Sequence, residues 1–579
     1  MSDWHRGRLP VFFEAAEYQP DHRPIAVDAE TTPRKLVLRT MFGNPSRTIP
    51  AGVLTVCHQI GEALVPVVMG VAIDRAIKTG DWSATLRWVL ILGLLFAFLS
   101  FSYRFGSRIG FLGMNTIQHR LRTQVTDRIL DPRGVSGGQQ PGVLLSIATS
   151  DVQRLSISVA LGLYPVGELA SVIFCGAVLL SISWQLGLLV LLGAPVMLWC
   201  LDKAGSSLRA RSEAEQRAAG EAAGTATDLV TGFRVVKGMH AEAEADRRYR
   251  TASDRALAAV IKARRSEGAY VGAMEGVAAV FVVVVGVLGG VQAVSGDLTV
   301  GQLITVVGLT QVVMEPLRAM GTNFGKVWVA SNASAKRVLM VLQAPFAREA
   351  GSEDLAADHA VPVRITGLPV GDGVTADLEF PSSGVTAVVC DAAFTAAATG
   401  HLSRAGTPVA AVTVGGARAQ DGTDLYRLHD AAALRAVRVA PHATTLFEGT
   451  VAENVAVNAP PDRVAAALFA AACDDVLEVL PHGLDTPVGE AGRLLSGGQR
   501  QRVSLARALA STTRTLVLVD PTSAVDSVTE ATIADRLGPI RAGLATVVFT
   551  SSPTLVAAAD TVVTVSSDGR VATDAKVRA

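Results

Sequence analysis

The sequence is poor in charge and in cysteine, and both shortages narrow the classes of function. Charged residues make up 18% of the 579 residues and the formal net charge is zero, so the chain lacks the basic surplus of a nucleic-acid-binding protein. Its five cysteines are scattered without the spacing of a metal site or of a disulfide framework. We therefore expect no metal site, no nucleic-acid partner and a reducing compartment.

The first 35 residues also lack a feature, namely the apolar run that forms the core of a signal peptide. They are polar, acidic and interrupted by prolines. We therefore expect residues 1–35 to form an N-terminal tail that stays in the cytoplasm.

Apolar residues are abundant, at 49% of the chain, and they are concentrated in long runs. A run of roughly 20 residues can cross a hydrocarbon layer of ~30 Å, and it must be helical because backbone groups in lipid have to pair internally. The predicted membrane helices lie at 49–74, 87–112, 155–181, 184–204, 268–294 and 299–323. The sequence therefore predicts a transmembrane domain of six helices over residues 36–345.

The connections between these helices alternate between short and long. Residues 113–154 and 205–267 are long and polar, and the second of them is dense in arginine, whereas the short loops carry few positive charges. The positive-inside rule places the long connections and both termini in the cytoplasm. Hydropathy alone is equally compatible with a generic six-helix membrane protein that has long loops.

The chain changes character after residue 345. Short valine-rich runs alternate with segments rich in alanine and leucine, which is typical of a parallel α/β domain with helices on both faces of its sheet. We expect this domain to cover residues 346–579, with a linker at 346–360.

The strongest single motif is "LLSGGQRQRV", in which Ser496, Gly497, Gly498 and Gln499 open a predicted helix. The glycines let the backbone approach an anion, and the helix N-terminus supplies free N–H groups and about half a positive charge. This combination predicts a phosphate cap. The plainer alternative is an ordinary helix that begins with a serine cap.

Together with Leu495, this stretch resembles the signature motif of ATP-binding cassette (ABC) transporters. "TPVGEAG" resembles the loop before the signature in exporters, and "PTSAVD", which ends at Asp526, resembles the D-loop. "VTGFRVVKGMHAEAEADRRY" and "SGDLTVGQLI" resemble parts of the exporter membrane domain. The resemblance implies a membrane α-helical domain of six transmembrane helices with long cytoplasmic extensions, followed by an α/β ATP-binding-cassette domain.

Five nucleotide-contacting elements depart from the family pattern, and one of them is the absence of an aromatic residue near 365–376 to stack on adenine. The phosphate loop, expected as G-x-x-x-x-G-K-[ST], lacks its glycines, its lysine and its hydroxyl, so that we expect a charge and a ring in the space of the nucleotide. In the Walker B strand the metal-holding aspartate is missing, and Asp520 stands at the position of the catalytic glutamate. The substituted positions are Asp391, Phe394, Ala396, Ala397 and Ala398 in the phosphate loop, His442 at the Q-loop, Val519 in the Walker B strand and Ser552 at the switch histidine.

The resemblance implies a division of labour between two chains. In the family, each ATP lies between the phosphate loop of one domain and the signature of the other. We therefore expect a heterodimer in which a second half-transporter, with intact Walker A and Walker B motifs, holds ATP and Mg²⁺. This chain would supply Leu495–Gln499 and Asp526 in trans, and would be inactive alone.

The first functional hypothesis is accordingly ATP-driven export of a small molecule or peptide across the plasma membrane. Two alternatives stay open. One is an importer built on the exporter fold, as for some siderophores, and the other is a membrane pseudoenzyme that acts as a sensor or scaffold.

Two further groups of residues are candidates for function. Residues 238–242 (Gly238, Met239, His240, Ala241 and Glu242) match the place where family members dock their membrane helices onto a nucleotide-binding domain. Acidic residues inside predicted spans are costly in lipid and usually line a cavity or pair with a cation. They are Glu62, Glu168, Glu275 and Glu315. We weigh a translocation path evenly against internal pairing with Arg104 or Arg318, or a location nearer the membrane interface than the predicted spans imply.

Overall fold

A computed structural model describes residues 23–575, apart from residues 79, 138, 205, 356–361, 372–373, 406–409, 416–421, 443–444 and 458. The chain divides into two compact units. The first contains Met1–Arg128 and Gln139–Gln343, and the second contains Ile129–Gly138 and Ala344–Ala579. The segment at 129–138, which was expected within the membrane domain, belongs to the second unit.

The first unit is helical in its described residues. Its helices are α1 (Pro33–Met41), α2 (Pro45–Ala72), α3 (Trp82–Ile129), α4 (Pro141–Ser146), α5 (Val152–Ser156), α6 (Ser158–Ile182), α7 (Trp184–Ala204), α8 (Ser206–Thr231), α9 (Phe233–Gly238), α10 (Glu242–Val294) and α11 (Val300–Leu342). A π-helical turn, Ile73–Ile77, continues α2.

Among the described residues, five helical stretches are long and apolar enough to cross a membrane, and a shorter apolar stretch lies at Trp184–Val196 in α7. The six predicted spans fall in α2, α3, α6, α7, α10 and α11. The helices α3 and α10 have 48 and 53 residues, about twice the length that a bilayer needs. Their polar ends form part of the long excursions that the sequence predicted between the spans, and α8 forms a further part of the second.

The helices α2 and α11 approach each other very closely at one end. A Cβ atom built on Gly70 would lie 2.3 Å from the carbonyl oxygen of Gly301, so neither glycine leaves room for a side chain. Beside this contact the Asp74 carboxylate accepts hydrogen bonds from the Thr299 hydroxyl and from the Gly301 backbone N–H, the latter at 3.1 Å. Asp74 therefore satisfies free donors at the start of α11.

The predicted N-terminal tail is shorter than expected, because part of it packs on the helices. Ile25 is buried, and its backbone N–H and C=O both pair with the side-chain amide of Gln124 in α3, at 3.1 and 3.0 Å. The amide of Gln343 donates to the carbonyl oxygens of Asp28 and Thr31 at 2.8 and 2.9 Å. Residues 1–22 of the predicted tail lie outside the described part of the chain.

The second unit is an α/β domain. Its elements are β1 (Val363–Gly371), β2 (Val374–Phe380), β3 (Gly384–Val389), α12 (Ala392–Leu402), β4 (Ala411–Val414), β5 (Thr423–Asp424), α13 (Asp430–Ala436), β6 (Val437–Ala440), α14 (Val451–Val455), α15 (Pro461–Ala470), α16 (Asp474–Val479), α17 (Gly497–Leu509), β7 (Thr515–Val519), α18 (Ser527–Ile540), β8 (Ala545–Phe549), α19 (Pro553–Ala558), β9 (Thr561–Val565) and β10 (Val571–Ala575).

Two sheets organise this domain. One is antiparallel in the order β2-β1-β4-β5, and the other has the order β10-β9-β3-β8-β7-β6, in which β9 through β6 run parallel. The valine-rich strands β3, β7 and β8 are almost entirely buried, as expected for a parallel sheet covered on both faces. The loops after β3, β6, β7 and β8 leave the same edge of the sheet, where ligands of such folds bind.

Candidate nucleotide site

The signature stretch forms the N-terminus of α17, as its sequence predicts. Ser496 is the N-cap, with its Oγ accepting the Gln499 backbone N–H at 3.3 Å, while the Gln499 side chain accepts the Ser496 backbone N–H at 2.9 Å. This reciprocal pair is a capping box, and it leaves the helix end without a negative charge. A Cβ at Gly497 would meet nothing within 4 Å, so the space beside this residue is open among the described residues.

The D-loop lies directly against the signature helix. A Cβ at Gly498 would come within 2.9 Å of the Ala524 carbonyl oxygen, so only a glycine fits there without displacement of the loop. Asp526 caps α18 by accepting the backbone N–H groups of Val528 and Thr529 at 3.1 and 3.0 Å. The Thr529 backbone N–H and the Thr529 hydroxyl hold the pKa of Asp526 below its usual range. Asp526 is therefore an ionised cap that is also exposed at the surface.

The segment at the phosphate-loop position has a different structure. Asp391 is the N-cap of α12, and its Oδ1 accepts the Phe394 backbone N–H at 2.7 Å. The helix end that would bind a phosphate is thus occupied by a carboxylate of the protein itself. Ala396 and Ala397 follow in the first two turns of α12, and Ala398 is fully buried.

The ring of Phe394 is placed differently from the sequence expectation. We expected it in the space of the nucleotide, but it is 3% exposed and belongs to the hydrophobic core between α12 and the strands, together with Val388 and Phe549. The reason is the position of Phe394 in the first turn of a helix whose buried face continues with Ala398 and Leu402. The obstruction at this loop therefore comes from the Asp391 carboxylate.

Three other substituted positions meet at the carboxyl edge of the sheet. His442, Val519 and Asp520 line one small pocket with a volume of about 20 Å³, which is close to the space that a single water needs. Asp520 has a backbone φ of +41°, a conformation that is strained for a residue with a side chain. Ser552 does not line this pocket and instead caps α19, with its Oγ accepting the Leu555 backbone N–H at 3.4 Å.

Sequence reasoning missed Gln501, which joins the signature helix to the loop after β7. Its side chain is 4% exposed and forms hydrogen bonds with Asp520, Ser523 and Ala524. The residue lies inside the motif that the sequence singled out, but its partners are about 20 positions away. A buried side-chain amide needs partners, but the burial of Gln501 follows from tertiary packing and has no local signal in the sequence.

The acidic residues of the membrane unit separate into three environments. Glu168 and Glu315 line a common cavity of about 400 Å³, together with Gln59 and Tyr164. Glu275 pairs with Arg318 at 2.8 Å, which is the internal pairing that the sequence left open. Glu62 is exposed on α2 and does not line that cavity.

The predicted coupling residues form the turn between α9 and α10. Gly238 ends α9, His240 has a φ of +50°, and Glu242 begins α10 and pairs with Lys237 at 2.9 Å. A hydrogen bond from Lys237 is the main cause that lowers the pKa of Glu242. Apolar side chains are exposed around this turn, namely Val230, Phe233, Val235 and Met239.

Comparisons with known proteins agree with this architecture. Two family descriptions match in succession: "ABC transporter transmembrane region" at residues 48–317 and "ABC transporter" at residues 407–523. A solved structure of a bacterial Atm1-family ABC exporter with ATP bound superposes with a TM-score of 0.68, and the match covers 91% of this chain and 94% of that one at 20% identity. The chain contains the transmembrane region and the ATP-binding domain of ABC transporters, in an exporter-type fold.

The curated relatives of this ABC chain include proteins of different lengths. A multidrug efflux ATP-binding/permease protein of Mycobacterium tuberculosis is 28% identical over 519 residues, which is 87% of this chain and 42% of that protein. An ATP-dependent lipid A-core flippase of Xanthomonas oryzae is 26% identical over 441 residues, which is 73% of this chain and 72% of the flippase. The chain thus spans less than half of the mycobacterial relative.

Proposed function

We propose that this chain is the catalytically degenerate half of a heterodimeric ABC exporter in the plasma membrane. Its nucleotide-binding domain lies in the cytoplasm and presents the signature residues 495–499 to ATP and Mg²⁺ held by a partner chain. The partner contributes the intact phosphate loop and Walker B motif. ATP binding brings the two domains together, and the membrane helices move the cargo outward.

The observation that carries this proposal is the Asp391 carboxylate at the N-terminus of α12. A phosphate at this helix end would meet a fixed negative charge, and two unit charges ~4 Å apart repel by ~4 kcal/mol at an effective dielectric constant of ~20, an upper-end figure near a surface. No lysine occurs in the sequence between Lys336 and Lys576, so the domain has no lysine to replace the one missing at Ala397. The residues of this site therefore do not fit ATP and Mg²⁺.

The signature end has the opposite properties and supports a role in trans. Its N-cap is a neutral serine, and the space in front of Gly497 is open. Backbone N–H groups at such a helix end favour an anion. A scaffold protein that binds no nucleotide has no use for this arrangement, which favours the transporter over the pseudoenzyme.

The turn between α9 and α10 and the cavity lined by Glu168 and Glu315 extend the proposal to coupling and cargo. The exposed apolar residues around Met239 form a surface that the nucleotide-binding domain of the partner covers. In the membrane unit, the Glu315 side chain is 78% exposed, and its carboxylate lies 4.0 Å from the Arg318 guanidinium, which pairs more closely with Glu275. Such a carboxylate avoids lipid and faces water or protein. We therefore assign Glu168 and Glu315 to a path for polar or cationic cargo.

The decisive experiment compares the purified full-length chain alone with the same chain co-expressed with a half-transporter that has intact Walker motifs. We expect no ATP turnover and no thermal stabilisation by 1 mM MgATP for the chain alone, and turnover for the pair. Magnesium-dependent hydrolysis by the chain in a partner-free preparation would falsify the proposed division of labour. A second control pairs the partner with itself, so that turnover can be assigned to the mixed complex.

A further inference from the structure

Gln501 uses every hydrogen-bonding group of its side chain on one loop. Its Nε2 donates to the Asp520 carbonyl oxygen at 3.1 Å and to the Ser523 Oγ at 2.9 Å, and its Oε1 accepts the Ala524 backbone N–H at 2.7 Å. A primary amide has two N–H donors and one carbonyl oxygen, and all of them are engaged here. Because Gln501 is buried, none of these bonds is readily replaced by water.

Gly498 makes a second contact with the same loop, one helical turn earlier. Residues three apart on a helix lie on one face, so Gly498 and Gln501 both face the segment at 520–524. The Ala524 carbonyl oxygen abuts Gly498, and the Ala524 N–H is bonded to Gln501. The signature helix thus contacts Ala524 at both its backbone N–H and its carbonyl oxygen.

The loop is also fixed at its beginning and at its end. The backbone N–H of Asp520 donates to the Phe549 carbonyl oxygen at 2.9 Å, which ties the loop to the edge of the sheet. At the other end Asp526 caps α18. Gln501 therefore connects the signature helix to a segment that is anchored on both sides but includes the strained backbone of Asp520.

We propose that Gln501 is a positioning residue that makes the signature helix and the loop at 520–526 one mechanical unit. The unit holds the Gly498 N–H and Asp526 at a fixed separation. In the proposed heterodimer both then reach the partner's nucleotide together. This last step depends on the proposed function, whereas the internal coupling is a property of this chain alone.

The coupling is tested by hydrogen exchange on the full-length chain in lipid nanodiscs. We expect Gln501→Leu to raise the exchange rate of a peptide covering 520–526 by about tenfold, the effect of losing roughly one net hydrogen bond. The matched control is Val503→Ala, a fully buried apolar position on the same helix whose side chain makes no hydrogen bond to this loop. We expect Val503→Ala to lower Tm without a selective rise in the hydrogen-exchange rate at 520–526. Unchanged exchange at 520–526 in Gln501→Leu would overturn the inference.

The catalytic consequence is tested with the reconstituted pair. We expect kcat to decrease in the order wild type, Ser523→Ala and Gln501→Leu, because the first change removes one of the three bonds and the second removes all of them. The KM for ATP stays close to wild type, since the partner's own loop holds the nucleotide. A purely structural role predicts instead that kcat per folded complex is unchanged, and that result would also overturn the inference.

The two hypotheses fail in different ways. If the wild-type pair hydrolyses no ATP, the proposed function fails, and hydrogen exchange in the isolated chain still decides the role of Gln501. If the pair is active and Gln501→Leu is no slower than Val503→Ala at equal folded fraction, the proposed function survives and the positioning role does not.

Discussion

The helices α12 and α17 begin at comparable loops and have opposite properties at their N-termini. The cap of α12 is Asp391, a carboxylate that occupies the end of its own helix. The cap of α17 is Ser496, a neutral side chain followed by two glycines with open space at the first of them. Every helix N-terminus carries about half a positive charge, so both ends could attract an anion.

The difference shows how one side chain decides whether a helix end is available to a ligand. Asp391 supplies the anion internally, which stabilises the helix and excludes a second negative charge. Ser496 satisfies a backbone N–H without charge and leaves the electrostatic attraction intact. A chain with one filled and one open end suits half of a shared site, and the following predictions test that contrast.

The largest effect is expected from Gly498→Asp at the open end. In the proposed heterodimer the substitution puts a carboxylate where the partner's γ-phosphate would approach, and its Cβ would lie 2.9 Å from the Ala524 carbonyl oxygen. Donors aimed at developing charge are each worth about 10²–10³ in rate, so we expect ATP turnover of the reconstituted pair to fall by at least that factor. The measurement is the ATPase rate at saturating MgATP, with complex assembly checked by co-purification.

The comparison variant for this prediction is Asp520→Asn, at the position of the catalytic carboxylate. We expect a mild effect, because the site around Asp520 already lacks its lysine and its metal-holding aspartate. If Asp520→Asn were the severe change and Gly498→Asp left turnover intact, the working site would lie in this chain.

The next prediction compares the thermal stability of alanine variants at the two signature glycines. Gly498→Ala forces a methyl group against the Ala524 carbonyl oxygen, and overpacking of this kind costs about 1–3 kcal/mol. Gly497→Ala meets open space, so we expect a Tm equal to or slightly above that of the wild type. Thermal unfolding of the isolated chain measures both, and equal Tm values would show that the D-loop does not press on the helix.

A smaller effect is expected when the N-cap side chain of each of the two helices is removed. Asp391→Ala and Ser496→Ala each remove one N-cap, and we expect each to cost about 1 kcal/mol of unfolding free energy. Their effects on the pair should differ, because Ser496→Ala also removes a hydroxyl from the shared site. We expect turnover to fall with Ser496→Ala alone. A comparable loss with Asp391→Ala would mean that the filled end also contributes to catalysis.

The sequence predicted the helix ends better than it predicted their surroundings. The start of α17 follows from Ser496 and two glycines, which are local signals. The burial of Phe394 and the contacts of Gln501 depend on which elements pack together. The segment at 129–138 is a similar case, because the Ser136 N–H bonds to the Pro345 carbonyl oxygen, more than 200 residues away. Hydropathy locates the lipid-facing runs, but it contains no information on such distant pairings.

The smallest expected effect is a pH dependence of stability in the helix α12, carried by His401 in its last turn. His401 is 8% exposed, and its burial lowers the pKa of the imidazole below the usual 6.5. The unfolded chain therefore takes up a proton near pH 6.5 while the folded chain does not. The contribution of His401 to stability is fully present above pH 6.5 and is lost as the pH falls below it toward the folded-state pKa.

Thermal melts of the isolated chain at pH 7.5, 6.5 and 5.5 check this prediction. We expect the wild type to lose more stability than His401→Asn over this range, because asparagine does not titrate there. His482→Asn, at an exposed position, is the matched control and should keep the wild-type slope. Parallel curves for wild type and His401→Asn would show that the imidazole is solvated in the folded chain, and that α12 packs less tightly than its buried residues indicate.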